Sequence, residues 1–384
     1  MRILYVSTDF NRSGAALAMI ELADNMRKLD NDVFLLFPGY GEAVEEARKR
    51  GLNCSIIRSY EWVKPIRRKE HLNEKIKWFL KHVYNIIAIQ QISYYLKSNK
   101  IDLVHINTLW GYVGAVAAKK RKIPFVWHMR EMLEQQGIKI RWQRYGVSLV
   151  NSAEALIAIS SIVKDNYASQ FDSSKIELIY DGVDVDKFLC EEKKLFNNQP
   201  PEMMVAGGVR QHKRQKDVIE ALKILVDKKI LVHLSIVGDD KTEYAESLKK
   251  YVKENDLEEY ISFVGETSEI QKYWRRADIG ITASEHEAFG RVTVESMLSG
   301  CITITSDSGA GKEIIDDNIN GYIYSLGNSN ELATVINNVV MNKEHTQSIA
   351  DNGKRVAINR YDSLRNAKQV FDLYKNIVTQ TSHM

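Results

Sequence analysis

Pro200-Pro201-Glu202-Met203-Met204-Val205-Ala206 decides how this chain is divided. A polar run, residues 191–198, leads into two prolines, and a strand-like apolar segment follows at once. From there the chain repeats what its first 180 residues have already done. Before the break, short apolar runs at residues 3–6, 33–37, 54–57, 103–106, 125–127 and 155–159 alternate with helical periodicity, as at 15–29 and 111–120. After it, apolar runs at 233–237, 261–264, 279–282 and 302–305 alternate with helical patterns such as 218–227. Short apolar strands alternating with helices specify a parallel sheet covered on both faces. The pattern therefore predicts an α/β protein with two doubly wound, Rossmann-like domains in tandem. The expected bounds are a first domain over 1–185, a linker over 186–200 and a second domain over 201–360. A closing helix over 361–384 is expected to pack back on the first domain. Ligands of open α/β sheets sit beyond the carboxyl ends of the strands, and clefts between domains are favoured sites.

Composition narrows the class. Hydrophobic residues are 44% of the 384, enough for two cores, which excludes a disordered chain. Cys54, Cys190 and Cys301 are odd in number and far apart, so neither a disulfide framework nor a zinc site is expected, and a reducing compartment fits. No apolar run reaches the ~18 residues of a membrane span. The start, Met1-Arg2-Ile3-Leu4-Tyr5-Val6-Ser7, reads as a first strand rather than a secretory signal, which points to the cytoplasm. The net charge of +3 hides +9 up to residue 180 and −6 beyond it. The basic excess is sharpest within residues 58–97, where Lys64, Arg67, Arg68, Lys69, Lys75, Lys77 and Lys81 interleave with Trp62, Trp78 and Phe79. Ile76, Phe79, Leu80, Val83 and Ile87 recur there at helical spacing. Two readings follow: a domain helix packed by its apolar side with a solvated lysine face, or a peripheral seat on an anionic membrane surface. Nucleic acid is not indicated, because the basic stretch is local and no recognition motif accompanies it.

The familiar nucleotide motifs are missing. The first strand is followed by Ser13-Gly14-Ala15-Ala16, with one glycine where a dinucleotide fingerprint needs three. Gly311-Lys312 has Ser306 and Glu313 where a P-loop needs glycine and Ser/Thr. Asp184-Val185-Asp186 has the look of a metal-binding pair and reads better as the start of a turn or helix.

The chemistry concentrates in Glu285-His286-Glu287-Ala288-Phe289-Gly290-Arg291-Val292-Thr293-Val294-Glu295-Ser296-Met297-Leu298. A strand runs into a polar loop, then Gly290, then an amphipathic helix. A helix start favours negative charge, and glycine there permits close approach to a ligand. Glu287 and Glu295 lie on the order of 10 Å apart along the helix. Carboxylates accept hydroxyls while amides take anionic oxygens, so the segment suits a hydroxyl-rich, phosphate-bearing ligand.

Glu287 and Glu295, with Ala288-Phe289-Gly290 after the first, resemble the C-terminal motif of glycosyltransferase family 4, a GT-B-fold group of retaining, nucleotide-sugar-dependent enzymes. Three further segments resemble the same family in the same order. Tyr180-Asp181-Gly182-Val183-Asp184-Val185-Asp186-Lys187-Phe188 is similar to its N-G-V-D-x-x-x-F, with Asp181 where Asn is usual. Ser306-Asp307-Ser308-Gly309-Ala310-Gly311-Lys312-Glu313-Ile314-Ile315 is similar to its glycine-rich loop, and Asn320-Gly321-Tyr322 to the segment after it. The resemblance spans nearly the whole chain and is most specific from Tyr180 to Tyr322.

What the resemblance implies is a GT-B architecture: an acceptor domain and a nucleotide-sugar donor domain facing a deep interdomain cleft. Glu295 would bind the donor's ribose hydroxyls and Glu287 the hydroxyls of the transferred sugar. The backbone of Ala288, Phe289, Gly290 and Arg291 would meet the sugar or diphosphate, Val264, Gly265 and Glu266 would lie near the base, and Gly14 near the diphosphate. The family's basic pair is only half kept. Lys213 matches its lysine, Gly208 stands where its arginine belongs, and Arg210, two residues on, is the candidate substitute. A cation is needed there because the leaving diphosphate gains charge. His128, at a strand end, would contact the donor sugar near its reacting carbon, and Arg130 and Glu131 would bind acceptor or brace it. His105 reads as a core or cleft-wall residue. The implied reaction is retaining transfer of a hexose-type sugar without cofactor or metal. The donor would be UDP- or GDP-linked, and the acceptor a glycan, a lipid-linked acceptor or another glycoconjugate in surface polysaccharide synthesis. Two alternatives remain at this level: a non-catalytic GT-B partner subunit that binds nucleotide or glycan, which the change at Gly208 favours, and another GT-B enzyme such as an epimerase or a phosphorylase.

Overall fold

The computed structural model describes every residue except 68–70, 198 and 383–384. Arg68 and Lys69 of the basic stretch lie outside the described residues. The chain divides into two units, one of residues 1–182 with 363–384, the other of residues 183–362.

The first unit holds strands β1 (Arg2–Val6), β2 (Asp32–Phe37), β3 (Asn53–Ile56), β4 (Val63–Pro65), β5 (Leu103–Asn107), β6 (Phe125–Met129), β7 (Ile138–Ile140), β8 (Ala155–Ala158) and β9 (Ile176–Leu178). Seven of them form one parallel sheet in the order β3-β2-β1-β5-β6-β8-β9, and β4 pairs antiparallel with β7. Ile3, Leu4 and Tyr5 are wholly buried, because helices cover both faces of the sheet. The direction of winding reverses between β1 and β5, which opens the sheet's carboxyl edge beside Ser7, Asn107 and Thr108. The C-terminal helix Ser363–Ser382 belongs to this unit. Its Ala367, Val370, Tyr374 and Ile377 join Met19, Ile20 and Met26 of the helix Gly14–Lys28 in one core. Asn366 Nδ2 donates to the Tyr180 carbonyl at 2.6 Å and fixes where that helix begins.

The second unit holds β10 (Glu202–Ala206), β11 (His233–Val237), β12 (Ile261–Gly265), β13 (Ile279–Thr282), β14 (Ile302–Ser306) and β15 (Tyr322–Tyr324), all parallel, in the order β12-β11-β10-β13-β14-β15. Here the winding reverses between β10 and β13. The expected linker over 186–200 is corrected. Its described residues are built into this unit, with Leu195 and Phe196 buried in the core. Asp278 accepts from the Phe196 amide at 2.7 Å and the Glu202 amide at 2.9 Å, and Lys193 donates to the carbonyls of Trp274 and Ala277. Polar composition suggested a tether, but the polar groups spend themselves on the bottom of the sheet.

A second correction concerns the helix Leu72–Ser98. Its packed side is Asn85, Ala88, Ile92, Ser93 and Leu96, set against the helix Val113–Arg121. The stripe Ile76, Phe79, Leu80, Val83 and Ile87 points the other way and is 41–61% exposed. The periodicity located the helix; of the two readings of its apolar stripe, packing by that side within the first unit is overturned, because small and polar residues suffice for close contact with an alanine-rich neighbour.

The loop after β6 is tied down by a buried acid. Glu131 Oε1 accepts from the Leu109 amide at 2.5 Å, and its carbonyl accepts from the Tyr167 hydroxyl at 3.0 Å. Burial pushes the Glu131 carboxyl up to about 7, against the opposing pull of hydrogen bonds from the Leu109 and Arg130 amides and of the Arg130 charge. The folded protein thus keeps a proton that the unfolded chain releases at lower pH. Stability from this group is full below the ordinary carboxylate range and is lost as pH rises through about 7. Urea unfolding at pH 5 and pH 8 is expected to show Glu131→Gln removing a decline of about 1–3 kcal/mol between them.

Candidate functional site

The reversal between β10 and β13 brings three loops of the second unit together at the carboxyl edge of its sheet. Residues 207–214 follow β10, residues 283–290 follow β13 and residues 307–310 follow β14. Backbone and side-chain bonds join them. The Glu285 amide donates to the His212 carbonyl at 2.8 Å, the Ala310 amide to the Glu287 carbonyl at 2.9 Å, and the His286 amide to Ser308 Oγ at 3.1 Å. Gly309 has φ +65° and lies so close that a Cβ would fall 2.5 Å from the Glu287 backbone. Gly290, at φ +93°, turns the chain into the helix Arg291–Leu298. Phe289 is buried edge-on against Tyr361, with centroids 5.6 Å apart.

Each cation here has an acid. Lys213 Nζ lies 2.7 Å from Glu287 Oε2, Arg210 Nη2 lies 2.6 Å from Asp239 Oδ2, and Arg214 pairs with Asp217 and Glu285 at 2.7 and 2.9 Å. Burial works to raise the Glu287 carboxyl. The charge and hydrogen bond of Lys213, with a bond from Ser284, outweigh it and hold the group below the usual range, so it stays ionised. Burial and the Lys213 charge lower the neighbouring His212. Gly208, where the resemblance expects arginine, has Arg210 beside it: the guanidinium carbon lies 3.7 Å from where a Cβ on 208 would sit. One helical turn past Gly290, Glu295 is buried and its Oε2 accepts from the Trp274 indole at 3.3 Å.

Val264 and Gly265 end β12 at the edge of the sheet, with Glu266 just beyond. Gly265 is linked through Gly238 to Gly207: the Gly238 amide donates to the Gly265 carbonyl at 2.9 Å, and a Cβ on Gly238 would fall 2.2 Å from the Gly207 carbonyl oxygen. In the sequence Gly238-Asp239 stands out only as the close of the strand before it. Nothing local marks Trp274. Asp184 caps the helix Val185–Phe188 by accepting from the Lys187 amide at 3.1 Å.

In the first unit, Gly14 opens the helix Gly14–Lys28 behind the cap of Ser13, with open space where its Cβ would be. His128 is fully buried near the end of β6. Arg130 donates to Asn107 Oδ1 at 2.7 Å, to His128 Nδ1 at 3.2 Å and to both carboxylate oxygens of Asp181. With side-chain exposures of 2% and 6%, the Arg130–Asp181 pair is interior. Arg130 and Glu131 therefore brace the strand end, and Asp181 in place of asparagine supplies the charge that a buried guanidinium requires.

Comparisons with known proteins bear on the family and the fold. The family model described as Glycosyltransferase Family 4 matches residues 12–187, and that described as Glycosyl transferases group 1 matches residues 186–356. Spore coat protein SA of Bacillus subtilis is 23% identical over 305 residues, covering 73% of this chain and 80% of its own. The O-antigen chain mannosyltransferase RfbU of Salmonella typhimurium is 28% identical over 179 residues, covering 46% of this chain and 47% of its own. The crystal structure of Anabaena Alr3699/HepE in complex with UDP and glucose superposes with a TM-score of 0.81 at 22% identity, covering 98% of this chain and 99% of that one. Two parallel-sheet α/β units, motifs in family order and two family models that tile the chain lead to one statement: this chain belongs to the group 1 glycosyltransferases, with the GT-B fold.

Proposed function

We propose that this glycosyltransferase moves a hexose-type sugar, with retention, from a UDP- or GDP-linked donor to a glycan or lipid-linked acceptor in surface polysaccharide synthesis, without a metal. The observation that carries the reading is the Lys213–Glu287 pair at the carboxyl edge of the second sheet, beside the helix start at Gly290. Lys213 and Glu287 are about a quarter and a fifth exposed, so a ligand can reach both members of the pair. A donor's diphosphate takes Lys213, and the freed carboxylate, kept ionised, accepts sugar hydroxyls. Arg210 takes the role of the arginine absent at Gly208 and stabilises the leaving diphosphate as its charge develops. Glu295, oriented by Trp274, holds the ribose, and His128 is assigned to the transferred sugar. Arg130 and Glu131 are assigned to bracing rather than to the acceptor. The UDP and glucose held by the Anabaena protein, and the mannosyl transfer of the Salmonella relative, support the donor class and the setting.

The exposed stripe of Leu72–Ser98 supports a peripheral membrane seat. Apolar side chains that no other described part of the first unit covers share the helix with exposed Lys75, Lys77 and Lys81, the composition of a surface that enters anionic lipid.

Three measurements check this. In a thermal-shift panel, one of UDP and GDP is expected to stabilise the wild type, by about 2.7 kcal/mol at a hundredfold excess over Kd, and to lose its effect in Glu295→Ala. No shift with any nucleotide would sink the donor assignment. Arg210→Ala is expected to lower kcat roughly 100-fold, and Gly208→Arg in the same chain to restore most of it; unchanged turnover in Arg210→Ala removes the substitution argument. The protein is expected to sediment with phosphatidylglycerol vesicles at low salt and not with phosphatidylcholine, and Phe79→Ser with Lys75→Glu to abolish it.

A further inference from the structure

The helix Ser363–Ser382 carries a hydroxyl into the interior of the first unit, that of Tyr374. It lies 2.5 Å from His105 Nδ1 and 3.4 Å from the Tyr5 hydroxyl. His105 Nε2 lies 3.2 Å from His128 Nδ1, the same atom that Arg130 Nη2 reaches at 3.2 Å. Both histidines are wholly buried.

Two contacts set the protons along this chain: Arg130 on His128 Nδ1, and the 2.5 Å contact of Tyr374 with His105 Nδ1, which takes the hydroxyl proton in preference to the Tyr5 oxygen at 3.4 Å. A guanidinium only donates, so His128 Nδ1 presents a lone pair. His105 Nε2, facing that lone pair, therefore carries a proton. Both imidazoles are neutral, since burial first and the Arg130 charge next depress them well below their ordinary range. His105 Nδ1 is then a lone pair that accepts the Tyr374 proton, and His128 carries its single proton on Nε2. That Nε2–H has no partner among the described residues. Buried donors without acceptors are rare in folded proteins, and one at a strand end of a doubly wound sheet is a candidate contact for a ligand atom.

We propose that Tyr374 and His105 are positioning residues that, with Arg130, fix His128 as a neutral Nε2–H donor to an oxygen of the bound ligand. His128 is then neither a base nor a cation. Its proton is presented, not transferred, and its orientation is set from the C-terminal helix. Naming that oxygen as part of the transferred sugar rests on the glycosyl-transfer reading; the tautomer does not.

The test is long-range proton–nitrogen NMR on the full-length protein carrying nitrogen-15 histidine, with His128 assigned through His128→Gln. Between pH 6 and 8 the wild type is expected to show His128 protonated on Nε2 alone. His105→Leu is expected to move the His128 Nδ1 resonance towards that of an unbonded ring nitrogen. His105→Gln, whose amide replaces the Nε2 donor, is expected to leave it in place. Should His105→Leu not fold, Tyr374→Phe serves instead, with His105 then populating both tautomers. In donor turnover, Tyr374→Phe and His105→Leu are expected to lower kcat roughly tenfold with KM little changed, and His105→Gln to recover it. A wild-type His128 protonated on Nδ1 or on both nitrogens overturns the proposal, as does a Nδ1 resonance indifferent to His105→Leu. The expected tautomer in a protein without transferase activity would defeat the glycosyl-transfer reading and leave this one standing.

Discussion

Burial of the central strands on both faces is the constraint from which the rest follows. A strand such as β1, with Ile3, Leu4 and Tyr5 enclosed, has no free side on which to place chemistry. Only its end is available, and only where neighbouring crossovers part. In the second unit that place lies between β10 and β13, and it is where the Lys213, Glu287 and Gly290 segments converge. In the first unit the corresponding reversal lies between β1 and β5, with His128 one strand further along. The same constraint makes glycine necessary at Gly309, where backbone must pass against backbone to close the edge.

Charge is handled differently in the two units, and burial decides how. Arg130 and Asp181 are almost wholly enclosed, and removing either leaves an uncompensated interior charge, a loss of about 3–5 kcal/mol. That pair is architecture. It fixes a strand end and, through His128 Nδ1, the protonation of a ring. Arg210–Asp239 is more than a third exposed on both sides, and pairs of that kind contribute about 0–1 kcal/mol. A pair so weak holds side chains in place without committing them.

The C-terminal helix joins these themes. Its apolar residues are spent on the core of the first unit, with Val370 and Ile377 among them, while Tyr374 delivers a polar group to His105. An element that looks like a closing strap in sequence thereby acts on the hydrogen bonding of a residue near a strand end more than 240 positions earlier.

Period and order were legible from the residues alone. Runs of four or five apolar residues between helical patterns specify parallel strands, and a second set after Pro200-Pro201 specifies a second sheet. The turn of the 285–298 segment into a helix after Gly290 was legible too, because glycine is a frequent helix-start residue. Three things were decided only by tertiary structure. Which side of Leu72–Ser98 is buried depended on the small residues of its neighbour. That residues near 195 belong to a core depended on Asp278, some 80 positions away, accepting the Phe196 amide. The surroundings of His128 depended on Arg130 and His105 meeting its ring, with Tyr374 behind His105. Sequence periodicity reports what a residue does for its own element. Burial, charge compensation and tautomer are properties of groups distant in the chain, and they exist only once folding has brought those groups together.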